Sequence, residues 1–142
     1  MEVTLEKKLV HSLEYPIRWG DMDAYGHVNN TLYFLYVQEA RFAMLLDANV
    51  PVDPLGVSPV LAETTSKFIR PINFPETLLI NTYLVGVKGK KVFFEHEIKS
   101  NSNHEIVYAI ISATIVWFDF KNGKSSEVPD DILKKIISHK KQ

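Results

Sequence analysis

One short stretch, Asp23-Ala24-Tyr25-Gly26-His27-Val28-Asn29-Asn30, brings a carboxylate, an imidazole and two side-chain amides close together in sequence. Asp23 can attack a carbonyl carbon or deprotonate a water, and residue type alone leaves both roles open. Asn29 or Asn30 is suited to cap the helix that follows, because an Asx side chain accepts a bond from an orphan N–H of the first turn. The remaining unpaired N–H groups and the helix dipole place partial positive charge at that end. An acyl carbonyl turning into an oxyanion would be stabilised there. Hydrolytic attack on an acyl group is therefore the chemistry this spacing allows.

Each of these residues also has a plainer reading. Asp21 and Asp23 can form Asx turns ahead of Gly26, and for Asp21 the turn is preferred. His27 can orient a water or cap the loop. Asp21, Asp23 and His27 could ligate a divalent ion, but no second cluster completes such a site, so no metal and no cofactor are expected. Glu63 lies in an alternating strand and reads as a solvated charge or a supporting acid. Lys88, Lys90 and Lys91 flank a turn at Gly89, where they are solvated or clasp a phosphate, with Arg70 as a further basic candidate. His96 shares a strand face with Val92, Phe94 and Ile98 and is expected to be a hydrogen-bonded core histidine. Glu39 and Arg41 interrupt an apolar helix and suit a structural ion pair or an interface contact. Tyr33, Phe34, Tyr36 and Phe42 are expected in the core, with one or two lining a pocket.

The elements that must position these residues can be traced along the chain. Leu9, His11, Leu13, Tyr15, Ile17 and Trp19 alternate with mostly polar neighbours, which predicts a half-buried strand with Pro16 at an edge or bulge. Thr31 to Leu46 is apolar nearly all round and predicts a buried helix. Strands follow at Val60–Arg70, Glu76–Val87, Lys90–Lys99 and Glu105–Asp119, joined by short turns. Ile132, Leu133, Ile136 and Ile137 lie at helical spacing in a tail from Pro129 to Lys140. Short connections force antiparallel neighbours. The expectation is an α+β domain over 1–142, a five-stranded antiparallel sheet around one long central helix with a short C-terminal helix.

Composition sets outer bounds. The 142 residues suffice for a single core, and 16 basic against 17 acidic residues, interspersed, show no basic stripe for nucleic acid. The chain has no cysteine, so thiolate chemistry is excluded and a reducing, cytoplasmic setting is expected. No apolar run is long enough to span a membrane, and the N-terminal residues do not read as a signal peptide.

The segment Arg18-Trp19-Gly20-Asp21-Met22-Asp23-Ala24-Tyr25-Gly26-His27-Val28-Asn29-Asn30, running into Tyr33-Phe34 and Glu39-Ala40-Arg41, resembles the active-site segment of 4-hydroxybenzoyl-CoA thioesterase-like hotdog proteins. In that family a D-x-D-x-x-G motif precedes the central helix. Lys67-Phe68-Ile69-Arg70-Pro71, Val87-Lys88-Gly89-Lys90-Lys91 and Val128-Pro129 extend the likeness over nearly the whole chain. The resemblance implies hydrolysis of an acyl-CoA thioester, with Asp23 as catalytic carboxylate and the backbone N–H of Asn30 or its neighbour polarising the carbonyl. It places Tyr25, Gly26, Asn29, Glu63, Arg70, Lys88, Lys90 and Lys91 near substrate, and implies a homodimer or homotetramer with sites between subunits. The same string resembles plant acyl-carrier-protein thioesterases, whose Asp and His fall on Asp23 and His27. Their Asn falls on Tyr25, which has no amide, and an acidic residue lands near Glu63. Hotdog dehydratases space their pair as D-x4-H, whereas Asp23 to His27 is D-x3-H and Asp21 to His27 is D-x5-H. A non-catalytic acyl-CoA-binding or lipid-binding module is the remaining alternative.

Overall fold

The computed structural model describes residues 2–139, the side chains of residues 2–5 excepted; Lys140, expected in the terminal helix, lies outside them. In chain order the elements are β1 (Glu2–Pro16), a 3-10 turn (Trp19–Asp21), α1 (Asn30–Asp47), β2 (Val57–Phe68), β3 (Thr77–Lys88), β4 (Lys91–Ser100), β5 (Val107–Asp119), β6 (Lys124–Ser126) and α2 (Asp130–His139). The strands form one antiparallel sheet in the order β1-β3-β4-β5-β2, with β6 paired to β5. β1 and β2 are consecutive in sequence yet occupy opposite edges, so α1 crosses the sheet face between them.

The sheet has six strands where five are expected from sequence. β4 stops pairing with β5 at Val116, and β6 takes the open edge beyond it, Trp117 to Asp119. The Asp119 carboxylate holds the intervening turn by accepting from the N–H groups of Lys121 and Asn122 and from the Asn122 amide. β1 also differs from its expected alternation. A bulge between Leu9 and His11 shifts the phase, so Val10 and His11 are both buried and Leu9 is exposed. Trp19 leaves the strand for the 3-10 turn and faces solvent. Pro16 ends β1 on the sheet edge, where its missing N–H costs no ladder bond.

α1 is 18 residues long, roughly 27 Å at the usual rise. Tyr33, Tyr36, Val37, Ala40, Met44 and Leu45 are buried against the sheet. The expectation of burial on all faces does not hold within one chain: Phe42 is 49% and Leu46 77% exposed. A single sheet can cover only one side of a helix. α2 closes one end of the core through Ile132 and Ile136, which join Met44, Leu45 and Trp117 in one cluster.

His96 sits on the buried face of β4, fully enclosed, as its alternation predicts. Arg41 does not pair with Glu39, which is exposed; its Nη1 donates to His96 Nε2 at 3.2 Å. A guanidinium can only donate, so His96 accepts there, and its Nδ1–H donates to Thr82 Oγ1 at 2.9 Å. Desolvation, with the Arg41 charge adding to it, pulls the His96 pKa down to about 3. The unfolded chain takes up a proton below the ordinary value of 6.5, while the folded chain does not. Stability should therefore fall as pH drops from 6.5 towards 3, by up to ~1.4 kcal/mol per pH unit for one proton. Urea denaturation at stepped pH tests this, and His96→Gln should flatten that part of the profile. A wild-type curve no steeper than the variant's would refute the assignment.

Candidate active site

The site is built on the loop between β1 and α1. The 3-10 turn positions Asp21, whose side chain is buried and accepts from the Tyr36 hydroxyl at 2.7 Å and from the Arg18 N–H at 3.1 Å. Tyr36 lies in the first half of α1, so this bond fastens the loop to the helix. Burial, then the bond to Asp21, holds the Tyr36 phenol well above its ordinary pKa. Asp21 thus takes a structural role in the turn, as its position suggests.

Beyond it, Met22 and Val28 form an isolated antiparallel bridge that pinches residues 23–27 into a tight loop. The Asp23 N–H donates to the His27 carbonyl at 2.9 Å, and the Gly26 N–H to the Asp23 carbonyl at 3.0 Å. Gly26 has φ +77, the left-handed region that such a turn needs and glycine enters without strain. The Val28 N–H donates to the Ile72 carbonyl, and the Asn29 N–H to the Asp21 carbonyl, which tie the loop's exit to the sheet side.

The helix cap is Asn29. Its Oδ1 accepts from the Thr31 N–H at 2.9 Å and from the Thr31 hydroxyl at 2.6 Å. Asn30 is the first helical residue, and its N–H has no bonded partner among the described residues. The Asp23 carboxylate uses Oδ1 to accept from the Tyr25 N–H at 2.9 Å. Its Oδ2 has no partner among the described residues. The Asx turn expected as the plainer role is therefore present, and it occupies one oxygen only.

Asp23, Tyr25, His27, Asn29, Asn30 and Arg70 line one cleft of about 390 Å³ at the N-terminus of α1. Gly26 shapes the loop beside it, and Tyr25, 86% exposed, stands at the rim. Tyr33 and Phe68 form one wall, packed edge to face at 5.0 Å between ring centroids. Phe68 and Ile69, which the residue-by-residue reading did not single out, belong to this wall because β2 ends there at the Arg70-Pro71 turn. An apolar pair just before a proline turn was the available signal.

The structure does not bring the other candidates to this cleft within one chain. Glu63 is exposed on β2, the sheet edge, at the bulge between Leu61 and Glu63. Lys88, Lys90 and Lys91 line a separate hollow beside Phe93 and Ser125, and Lys90 Nζ donates to Ser125 Oγ at 3.2 Å. That turn lies at the far end of β3 from Thr77, which pairs with Pro16 just before the active loop. Among the described residues no group of three or more His, Asp or Glu could hold a metal ion. No described helix is long and apolar enough to cross a membrane.

Residues 17–136 match the model of the thioesterase-like superfamily. The PA2801 protein of Pseudomonas aeruginosa, described as a candidate thioesterase, is 32% identical and superposes with a TM-score of 0.85, covering 91% of this chain and 99% of that one. XC229 of Xanthomonas campestris, described as a candidate acyl-CoA thioesterase, is 31% identical with a TM-score of 0.71, covering 83% of this chain and all of that one. The chloroplastic acyl-acyl carrier protein thioesterase ATL3 of Arabidopsis thaliana is 25% identical over 93% of this chain and 70% of its own length. With the six-stranded sheet, the helix laid across it and this family match over most of the sequence, the chain belongs to the thioesterase-like superfamily and is a hotdog-fold thioester hydrolase.

Proposed function

We propose that the protein hydrolyses an acyl-CoA thioester to the free acid and coenzyme A, with Asp23 as nucleophile or general base. The observation that carries this reading is the shared cleft: Asp23 and Asn30 line one hollow, and among the described residues Asp23 Oδ2 and the Asn30 N–H have no bonded partner. An acyl carbonyl seated there has a carboxylate on its carbon side and a backbone donor for its oxygen. If Asp23 attacks, the C–S bond breaks and the acyl group passes to its carboxylate as a mixed anhydride, which water then hydrolyses to the free acid; if Asp23 deprotonates a water, that water attacks and the C–S bond breaks directly to the acid. On either route the departing CoA thiolate is protonated to the thiol. The Asn30 N–H stabilises the intermediate oxyanion, and one such donor is worth roughly 3 kcal/mol in comparable acyl transfers. His27 orients the thioester or a water at the helix mouth, the Asn29 cap fixes that mouth, and Tyr25 and Gly26 form its lip.

Arg70 is the basic candidate that the chain itself brings to the cleft, where it can meet a phosphate of the coenzyme. Glu63 and Lys88, Lys90 and Lys91 contribute from a second subunit. A homodimer or homotetramer also gives a use to the exposed apolar side chains Phe42, Leu46, Leu61 and Phe68 on α1 and β2. The cysteine-free composition fits work in the cytoplasm.

A second reading, an acyl-acyl carrier protein thioesterase, is favoured by the likeness to ATL3. One assay separates the readings: the same acyl groups are offered on coenzyme A and on acyl carrier protein while free thiol release is followed. Faster turnover on coenzyme A is expected. Faster turnover on the carrier protein would establish the second reading. Binding without thiol release from either would leave an acyl-CoA or lipid-binding module.

A further inference from the structure

Arg41 is a half-buried cation with no anion beside it among the described residues. Its one hydrogen bond among the described residues is to His96, and it has no acidic partner among them. His96 cannot supply the missing charge, since it accepts from Arg41 and stays neutral at any working pH. Burial pulls the Arg41 pKa down only to about 10, so the guanidinium remains positive. A charge largely withdrawn from water is ordinarily paired, and Arg41 is half-buried. None of the Arg41 nitrogens is among the sealed, unbonded atoms of the structure, so its spare N–H groups open onto space.

That space has a direction. Three hollows follow one another along the seam between α1 and the edge strand β2. The first is the active cleft, with Asn30, Tyr33 and Phe68. The next is lined by Phe34, Val37, Leu61, Thr64 and Arg41. The last, about 210 Å³ and largely apolar, holds Arg41, Leu61, Phe94, Met44 and Trp117. Arg41 borders both the second and the third. Asn30 and Arg41 are separated by roughly 16 Å along the helix axis, and a helical side chain leans back towards the N-terminus, which shortens the gap.

We infer that Arg41 receives a terminal carboxylate at the far end of a medium-chain acyl group, so that the enzyme favours α,ω-dicarboxylic over plain fatty acyl thioesters. The inference rests on the proposed placement of the thioester carbonyl at the start of α1. Two largely apolar hollows that meet at a guanidinium with no acidic partner among the described residues suit a hydrocarbon chain that carries an anion. Arg41 is a specificity-determining residue on this view and takes no part in bond breaking.

The test compares kcat/KM for sebacoyl-CoA and decanoyl-CoA, which have equal carbon count and differ at the distal end. Wild type should favour sebacoyl-CoA at least tenfold. Arg41→Met should remove or reverse the preference, and Arg41→Lys should keep part of it. No preference in wild type, or a preference that survives in Arg41→Met, overturns the inference. Binding is measured separately from turnover, using Trp19→Phe so that Trp117, which lines the third hollow, is the remaining tryptophan. Monomethyl sebacate should quench Trp117 and dimethyl sebacate should not, with the difference lost in Arg41→Met. If no acyl-CoA is turned over, the proposed function fails while this binding contrast still decides the Arg41 site; equal quenching by the two esters overturns it. Should Arg41→Met instead shift the oligomer mass without altering either preference, the cation serves a subunit contact and the inference is wrong.

Discussion

Asp23→Asn should lower kcat by about 10²- to 10⁴-fold, the range that a positioned acid or base contributes, with the melting temperature essentially unchanged. Both halves of the expectation come from the same carboxylate. Oδ1 accepts from the Tyr25 N–H, and an asparagine Oδ1 can accept in the same way, so the Asx turn survives. Oδ2 is the oxygen without a partner among the described residues, and an amide nitrogen in its place can neither attack an acyl carbon nor take a proton from water. Substrate contacts elsewhere are untouched, so the loss should fall on kcat rather than KM. Steady-state thiol release and a thermal melt on one preparation suffice. Turnover within a few-fold of wild type would remove Asp23 from the chemistry and leave the cleft without a proton acceptor of the right type, unless His27 takes that part.

Asp21→Ala should do the converse. Asp21 is 5% exposed, and its carboxylate accepts from the Tyr36 hydroxyl and the Arg18 N–H, with the Arg18 guanidinium 3.6 Å away. Alanine leaves the Tyr36 hydroxyl enclosed with no acceptor, and Tyr36 is fully buried. An unsatisfied buried donor costs roughly 1–3 kcal/mol, and the bond lost here has a charged acceptor, which puts it at the upper end. For a chain of this size that is on the order of 5–10 °C in melting temperature. Activity should decline through loosening of the loop rather than through loss of the reacting group, so much of it should return on cooling. Asp21→Asn, which keeps an acceptor of the same shape, should be milder in melting temperature. A melting temperature within a degree of wild type for Asp21→Ala would show that the Asp21–Tyr36 bond does not hold the loop. The two aspartates, two residues apart, should thus separate cleanly into a stability phenotype and a turnover phenotype.

The contrast between them was only partly legible from residue type. Residue type alone makes both turn aspartates; the family motif favours chemistry at Asp23 and the turn at Asp21, but nothing local says that Asp21 Oδ2 accepts two hydrogen bonds while Asp23 Oδ2 accepts none among the described residues. The answer depends on Tyr36, fifteen positions away, arriving over Asp21 when α1 folds down on the sheet. The period-two pattern of β4 suffices to place His96 in the core, where it is fully enclosed. No local pattern names its partner, because Arg41 and His96 are 55 positions apart and neither the helical nor the strand period links them.

Local physics determined the elements: the Asx cap at Asn29, the left-handed glycine at Gly26, the alternation of β4 and the helical spacing of α2 all act within a few residues, where steric limits and unpaired backbone groups leave few choices. Tertiary packing decided the rest. The β1 bulge, the sixth strand, the exposed outer face of α1, the wall made by Phe68 and Ile69, and the lone charge of Arg41 each depend on which distant surface is brought alongside. Burial and pairing are properties of that juxtaposition, and no short window of sequence contains them.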